Sequence, residues 1–281
     1  MDKEVLSKEI GEQMKLSSIS SGSKGNCILV ENEDTSLLVD VEISKKRVEE
    51  GLSCFGKSPE ELDGILITHE HSDHIKGLGV FLRKYNMPVY ATEKTIDYIL
   101  HNSNIGKVDT DMFVPIERNQ HFEIKNLRIS PLQISHDAVD PVCYRFDEDS
   151  IKNKSCAIAT DLGEVTDELV NSLQELDGIL VESNHDIRML QMGAYPYHLK
   201  QRIWGNKGHL SNEACGDFVN HIISDRLKQI VLGHLSQENN YPELAFQAVR
   251  NEINFAKHKF DTDDIDLKVA SRTGPSCNIE F

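Results

Sequence analysis

The sequence predicts a single α/β domain in which several strands deliver functional groups to one shared edge. Three observations predict it. Short apolar runs without a polar interruption, such as Ile65-Leu66-Ile67, Ala157-Ile158-Ala159 and Ile230-Val231-Leu232, suit strands buried on both faces. Several of these runs end in a histidine or aspartate: Ile67-Thr68 leads into His69, Gln133-Ile134-Ser135 into His136, Ala159-Thr160 into Asp161, and Leu232-Gly233 into His234. In open α/β sheets ligands bind outside the carboxyl ends of the strands, so these endings converge on one cleft. Finally, Glu61-Leu62-Asp63-Gly64-Ile65-Leu66-Ile67 recurs almost letter for letter as Glu175-Leu176-Asp177-Gly178-Ile179-Leu180-Val181, and a polar, histidine-containing stretch follows each copy. The echo reads either as a coincidence between buried strands or as a duplicated αβ half.

Taken in order, residues 1–13 are expected to form a flexible extension and residues 14–281 the domain. Lys15–Ser20, Asn26–Glu31 and Ser36–Asp40 are short and apolar-rich, with Gly, Ser, Asn and Asp between them, which reads as strands and turns. Ser44–Leu52 and Ile75–Tyr85 have helical spacing, Val89-Tyr90 a strand pattern after Pro88, and Thr92–Asn102 a helical one. Residues 111–146 return to strands, and from Asp161 onward strands and helices alternate. Ser211 and Asn212 are cap candidates for a helix through Ala214–Ile223. No Pro/Gly/Ser-rich linker divides the 281 residues.

The formal net charge of −16 leaves no basic surface of the kind that nucleic-acid binders show, although bound divalent cations would make a site locally positive. Six cysteines, at positions 27, 54, 143, 156, 215 and 277, never form a C-x-x-C pair and read as reduced thiols. The opening MDKEVLSKEIGEQ has no apolar h-region, and no apolar run approaches a membrane span. The expectation is a soluble, cytoplasmic protein with no membrane partner.

Residues Thr68–His74, read THEHSDH, hold three histidines and two carboxylates at the end of a strand. His69 and His71 are two apart and face the same way on an extended chain, whereas the adjacent Asp73 and His74 point differently. One loop therefore supplies two ligand clusters, which suits two neighbouring ions with Asp161 as the simplest shared bridge. Imidazole with carboxylate suits zinc, manganese or iron better than calcium or magnesium.

These residues resemble the metallo-β-lactamase-fold hydrolases, whose H-x-H-x-D-H core is followed by a histidine, an aspartate and a final histidine. The resemblance implies a four-layer αββα sandwich with an ion held by His69, His71 and His136 and a second by Asp73, His74 and His234. Asp161 would lie between them, and every ligand position is filled. A nearer resemblance, over roughly residues 15 to 281, is to the YycJ/WalJ group of bacterial proteins. It is carried by SSGSKGNCILV (20–30), THEHSDHIKGL (68–78), SHDAVDPVCYRF (135–146), TDLGEVT (160–166), the stretch 182–214 and LGHLSQENNYPELA (232–245). That group is regarded as resembling metal-dependent 5′→3′ exonucleases acting on DNA, which implies a DNA partner and two divalent zinc or manganese ions. The chain departs from it at Val41-Glu42, where the group commonly has Ala-Gly. The family's oxygen-reducing di-iron branch usually has Glu in place of His71 and is disfavoured.

Asp73 is expected to serve both as a ligand and as the group that orients, or takes a proton from, the attacking water. The ligands alone do not choose among β-lactams, thioesters, lactones, sulfides and phosphodiesters. Two other segments lean toward phosphodiesters. Ser20–Asn26, with Ser23, Lys24 and Asn26, suits a phosphate cradle and equally a plain hairpin turn. Tyr195–Ser211 gathers Lys200, Arg202, Lys207, two tyrosines and the only tryptophan, Trp204, which suits base stacking and equally a helix edge with an anchoring Trp. His209 is a candidate phosphate contact or leaving-group acid, and Glu182, Asn184 and His185 are candidates to orient ligand imidazoles. His101, His121, His198, His221 and His258 read as surface or structural.

The expected function is a dinuclear-metal phosphodiesterase, a 5′→3′ exonuclease on DNA. The alternative, a small-molecule metallohydrolase of thioesterase or lactonase type, accounts more directly for the acidic charge. A binding module without turnover is disfavoured because no ligand is missing.

Overall fold

In the computed structural model, residues 14–148, 153–256, 258–260 and 262–281 are described. The expected extension over residues 1–13 lies outside them. The strands run β1 (Lys15–Gly22), β2 (Gly25–Glu31), β3 (Ser36–Val39), β4 (Gly64–Leu66), β5 (Val89–Thr92), β6 (Phe113–Ile116) and β7 (Phe122–Ile124). The remainder are β8 (Leu127–Gln133), β9 (Val142–Glu148), β10 (Ser155–Ala159), β11 (Gly178–Glu182), β12 (Gln229–Gly233), β13 (Asp266–Val269) and β14 (Ser276–Glu280). The helices are α1 (Lys45–Cys54), α2 (Ser72–Ile75), α3 (Leu78–Leu82), α4 (Glu93–Asn102), α5 (Asp167–Ser172), α6 (Ile187–Met192), α7 (Tyr197–Trp204), α8 (Asn212–Ile222) and α9 (Pro242–Phe255).

The strands form two seven-stranded sheets, ordered β14-β1-β2-β3-β4-β5-β6 and β13-β12-β11-β10-β9-β8-β7. Three apolar layers hold them. Leu37, Val39 and Leu66 of the first sheet meet Ile158, Leu180 and Val231 of the second between the sheets. The alternate residues Leu38 and Ile65 pack outward against Val48 of α1 and Phe81 of α3. On the other side Ile179, Val181 and Ile230 pack against Phe218 of α8 and Val249 of α9. Three cores separate four layers, so the molecule is an αββα sandwich. A fully buried aliphatic side chain contributes about 1.5–3 kcal/mol, which is why both faces of the central strands are apolar and the runs are uninterrupted.

The echoed heptapeptides occupy equivalent places. Each sheet has three antiparallel pairings followed by three parallel ones, and β4 and β11 are each the second strand of the parallel run. The aspartate of each copy does the same work: Asp63 Oδ2 accepts from Ser36 N at 3.0 Å, and Asp177 Oδ2 accepts from Ser155 N at 2.9 Å. Each carboxylate thus caps the start of the neighbouring strand, β3 or β10, and a reciprocal backbone bond of 2.8 Å returns from the aspartate N–H in both.

One expected element differs. The helical spacing over Ile75–Tyr85 is split into α2 and α3 at Gly77. Gly77 N donates to Val41 O at 2.9 Å, and a Cβ at this position would run into the Ile43 carbonyl. Close backbone packing against Val41–Ile43 therefore outweighs helical continuity. That packing also accommodates the unusual Val41-Glu42 pair: Val41 is buried, and its N–H donates to His74 O at 2.8 Å. Among the described residues, no helix is long and apolar enough to cross a membrane, and five cysteines are unpaired.

Candidate metal centre

The parallel strands end at one edge, and the side chains they release meet there. Asp40 follows β3, Asp161 follows β10 and His234 follows β12, all in left-handed conformation, with φ of 58°, 61° and 54°. Asp and His tolerate this region better than most residues, and it turns each side chain back over the sheet edge. The β1–β2 hairpin reaches the same edge and is tied to it, since His234 N donates to Ser21 Oγ at 3.0 Å.

Four donor sets form, within each of which one ligand atom per residue lies within 4.8 Å of the others: His69, His71 and His136; Asp73, His74 and His234; His69, His74 and Asp161; and Asp161, Glu182, His209 and His234. Asp161 stands between the first two sets, its carboxylate oxygens 3.7 Å from His136 Nε2, 3.3 Å from His74 Nε2 and 3.5 Å from His234 Nε2. His71 Nδ1 lies 3.2 Å from His136 Nε2, and His234 Nε2 lies 3.7 Å from Asp73 Oδ2.

Carboxylates behind the imidazoles aim them. Asp40 Oδ2 is 2.7 Å from His74 Nδ1 and also accepts from Thr68 Oγ1 at 2.8 Å. Glu182, at the end of β11, is fully buried; its Oε1 is 2.8 Å from both His209 Nδ1 and His234 Nδ1. Its Oε2 accepts from Leu162 N at 2.9 Å and Leu210 N at 3.1 Å. Burial alone would push the Glu182 carboxyl up, but the facing His209 and His234 outweigh it and hold it down to about 2. Burial opposes protonation of His74, yet Asp40, Asp161 and Asp73 raise it well above the usual imidazole value. His69, walled by burial and the neighbouring His74, falls well below that value.

The donor set fits a divalent metal. His69 Nε2, His234 Nε2 and Asp161 Oδ2 are buried without a hydrogen-bond partner. An unsatisfied buried polar atom costs about 1–3 kcal/mol, and cations held in the neighbouring sets, with Asp161 between them, would satisfy all three. Imidazole and carboxylate donors suit a transition metal.

The cleft above these donors has a volume of about 180 Å³ and is roofed by Leu199, Arg202 and Ile203 of α7. Ser23 and His209 line it. Asn26 Nδ2 donates to Asp73 O at 3.3 Å and lies 3.4 Å from His74 Nε2, while Lys24 is exposed at the hairpin tip. At the mouth Arg202 Nε donates to Asp137 Oδ2 at 2.5 Å, and Asp137 Oδ1 sits 3.5 Å from His136 Nε2. Asp40 and Asp137 were not singled out in the sequence; their only signals are a strand end and adjacency to His136.

Trp204 is brought near the cleft but does not line it. It walls a neighbouring cavity of about 340 Å³ that shares His209 with the cleft. Of the cations expected to line a groove, Arg202 is engaged by Asp137 and Lys200 Nζ donates to Gln191 O at 2.7 Å. Two of the candidate orienting residues are corrected. Asn184 Nδ2 donates to the backbone carbonyl of His234 at 3.0 Å rather than to an imidazole, and His185 lies in the neighbouring cavity. Long-range packing decides both, because residues adjacent on a strand-end loop leave in different directions. His101, His121, His198 and His221 are exposed, and His258 Nε2 lies 3.0 Å from Asn220 Oδ1, all away from the cleft.

The chain is similar to proteins of known name over most of its length. It is 42% identical to "Exodeoxyribonuclease WalJ" of Streptococcus pneumoniae serotype 2 over 245 residues, covering 87% of this chain and 89% of the relative. It is 39% identical to "Exodeoxyribonuclease YycJ" of Bacillus anthracis over 236 residues, covering 84% and 88%. The crystal structure of Zn(2+)-bound PqqB from Methylobacterium extorquens shares the fold, with a TM-score of 0.66, 14% identity, and coverage of 95% of this chain and 100% of that one. The family model for the beta-lactamase superfamily domain matches residues 42–234, a span that holds all seven donors of the cluster. On that match and the αββα architecture around it, the chain belongs to the beta-lactamase superfamily and has the metallo-β-lactamase fold, that of a metal-dependent hydrolase.

Proposed function

We propose that the chain is a 5′→3′ exodeoxyribonuclease that hydrolyses phosphodiesters at a pair of zinc or manganese ions. The observation that carries the reading is the seven-donor cluster with His209 aligned beside it by Glu182. His69, His71 and His136 would hold one ion, Asp73, His74 and His234 the other, with Asp161 shared. When bound, the ions supply Lewis acidity to the phosphoryl oxygens and make water acidic enough to ionise near neutral pH.

The chain's own groups do the rest. Asp73, part-exposed at the cleft, orients the attacking water and accepts its proton. His209, whose Nδ1 is committed to Glu182, keeps its other nitrogen to protonate the leaving oxygen. Burial opposes its protonation, but the Glu182 carboxylate raises its affinity for a proton, as an acid in this role needs. Ser23 and Asn26 hold the scissile phosphate at the cleft wall, Lys24 meets the strand beyond it, and Trp204 stacks a base. DNA is the favoured polymer because relatives aligned over most of the chain are named exodeoxyribonucleases.

The test is digestion of end-labelled single- and double-stranded DNA and RNA with zinc or manganese, alongside His209→Ala. Mononucleotides should be released from the 5′ end, and the variant should be slower by about 10²–10⁴-fold at unchanged metal content. Two ions would bring the net charge only to −12 (−16 + 4), so binding should depend on the local groove and weaken as salt rises. Nucleic acids left intact beside rapid thioester or lactone hydrolysis would replace this reading with a small-molecule hydrolase.

A further inference from the structure

We infer that the cavity between Trp204 and His185 seats the nucleobase next to the scissile phosphate, an assignment that rests on the phosphodiesterase reading and deepens it. The cavity holds about 340 Å³ and adjoins the metal cleft through His209, which lines both. A nucleotide with its phosphate at the metals therefore has a space for its base one side chain away.

The chemistry of the walls suits a flat, neutral group with a polar edge. Trp204, half-exposed at the end of α7, offers an aromatic face, and Ile187, Leu210 and Ala214 are apolar. Among the described residues no lysine or arginine lines the cavity, so it is not built for a phosphate. His185, in its wall, is 2% exposed, and its Nδ1 is enclosed by protein with no hydrogen-bond partner. Its backbone is held to the start of α8, since His185 O accepts from Asn212 N at 2.9 Å and the residue bridges to Ser211. Gln191, exposed, also lines the cavity and offers an amide to the edge of a base, whose face covers Trp204.

The chain contains a single tryptophan, so its fluorescence reports on this cavity directly. Metal-loaded protein would be titrated with thymidine 5′-monophosphate and with deoxyribose 5-phosphate. The nucleotide should quench saturably and the sugar phosphate should not. In parallel, kcat/KM would be compared for the 4-nitrophenyl ester of thymidine 5′-monophosphate and for methyl 4-nitrophenyl phosphate. The wild type should prefer the thymidine ester by about tenfold or more, and Trp204→Ala should bring the ratio toward one.

Equal quenching by both phosphates, or a preference that survives Trp204→Ala, overturns the base seat while hydrolysis of the esters keeps the phosphodiesterase reading. Saturable quenching by a short-chain acyl thioester and not by nucleotides gives the cavity to an acyl group and also overturns it. Nucleotide quenching with neither ester hydrolysed upholds the base seat and removes the reaction assigned beside it.

Discussion

Glu182→Gln isolates the buried carboxylate that aligns two histidines at once. The carboxylate accepts four bonds, from His209 and His234 on Oε1 and from Leu162 and Leu210 N–H on Oε2. Glutamine has one acceptor oxygen and one donor NH₂. If its oxygen faces the imidazoles, its NH₂ opposes two buried backbone donors, at about 1–3 kcal/mol for each bond lost. If the amide flips, its NH₂ favours a lone pair on His234 Nδ1 and moves the proton to Nε2, the atom that faces Asp73 and Asp161. In that orientation the histidine cannot ligate.

Loss of such a partner lowers metal affinity by about 10–100-fold, and the orphaned bonds should lower Tm by about 5–10 °C. Chelator competition would read the first and thermal melting of metal-free protein the second. A variant whose affinity stays within about twofold and whose Tm moves by about 1 °C or less would show that the carboxylate aligns neither ring.

Asp161→Ala should reduce metal content at both positions and His69→Ala mainly at one, as elemental analysis would show; full occupancy in the Asp161 variant would exclude a shared carboxylate. Asp73→Asn retains the shape and one ligand oxygen, so turnover should fall by about 10²–10⁴-fold while metal content falls far less. Metal loss in step with activity would leave Asp73 a ligand only. Acid should destabilise the metal-free protein through its depressed carboxyls. Burial would raise both, but His209 and His234 hold Glu182, and His74 and His234 hold Asp73, each at about 2 against ordinary values of 4.5 and 3.8. Their contribution is complete above those ordinary values and is lost as pH falls toward about 2. Denaturant titrations of wild type and Glu182→Gln should therefore converge across that window; curves that stay parallel would count against the shift.

The strands, their double burial and the grouping of the seven donors were legible along the chain. Apolar continuity is a local property, and the donors either stand side by side in Thr68–His74 or end an apolar run, as His136, Asp161 and His234 do. The echoed Glu-Leu-Asp-Gly was visible too, but its reason was not: the aspartates cap strands that begin 27 and 22 residues earlier, and the glycines start strands against Tyr90 and Phe281. Tertiary structure alone decided what stands behind and above the donors. Asp40 reaches His74 across 34 residues, Glu182 reaches His234 across 52, and Arg202 meets Asp137 across 65. Asn184 and His185 follow one another yet serve a backbone carbonyl and a separate cavity. Gly77 breaks a helix because a carbonyl from residue 43 occupies the space its Cβ would need. A hydrogen bond or a steric limit belongs to two groups at once, and when sequence separates them only the folded backbone brings the second into range.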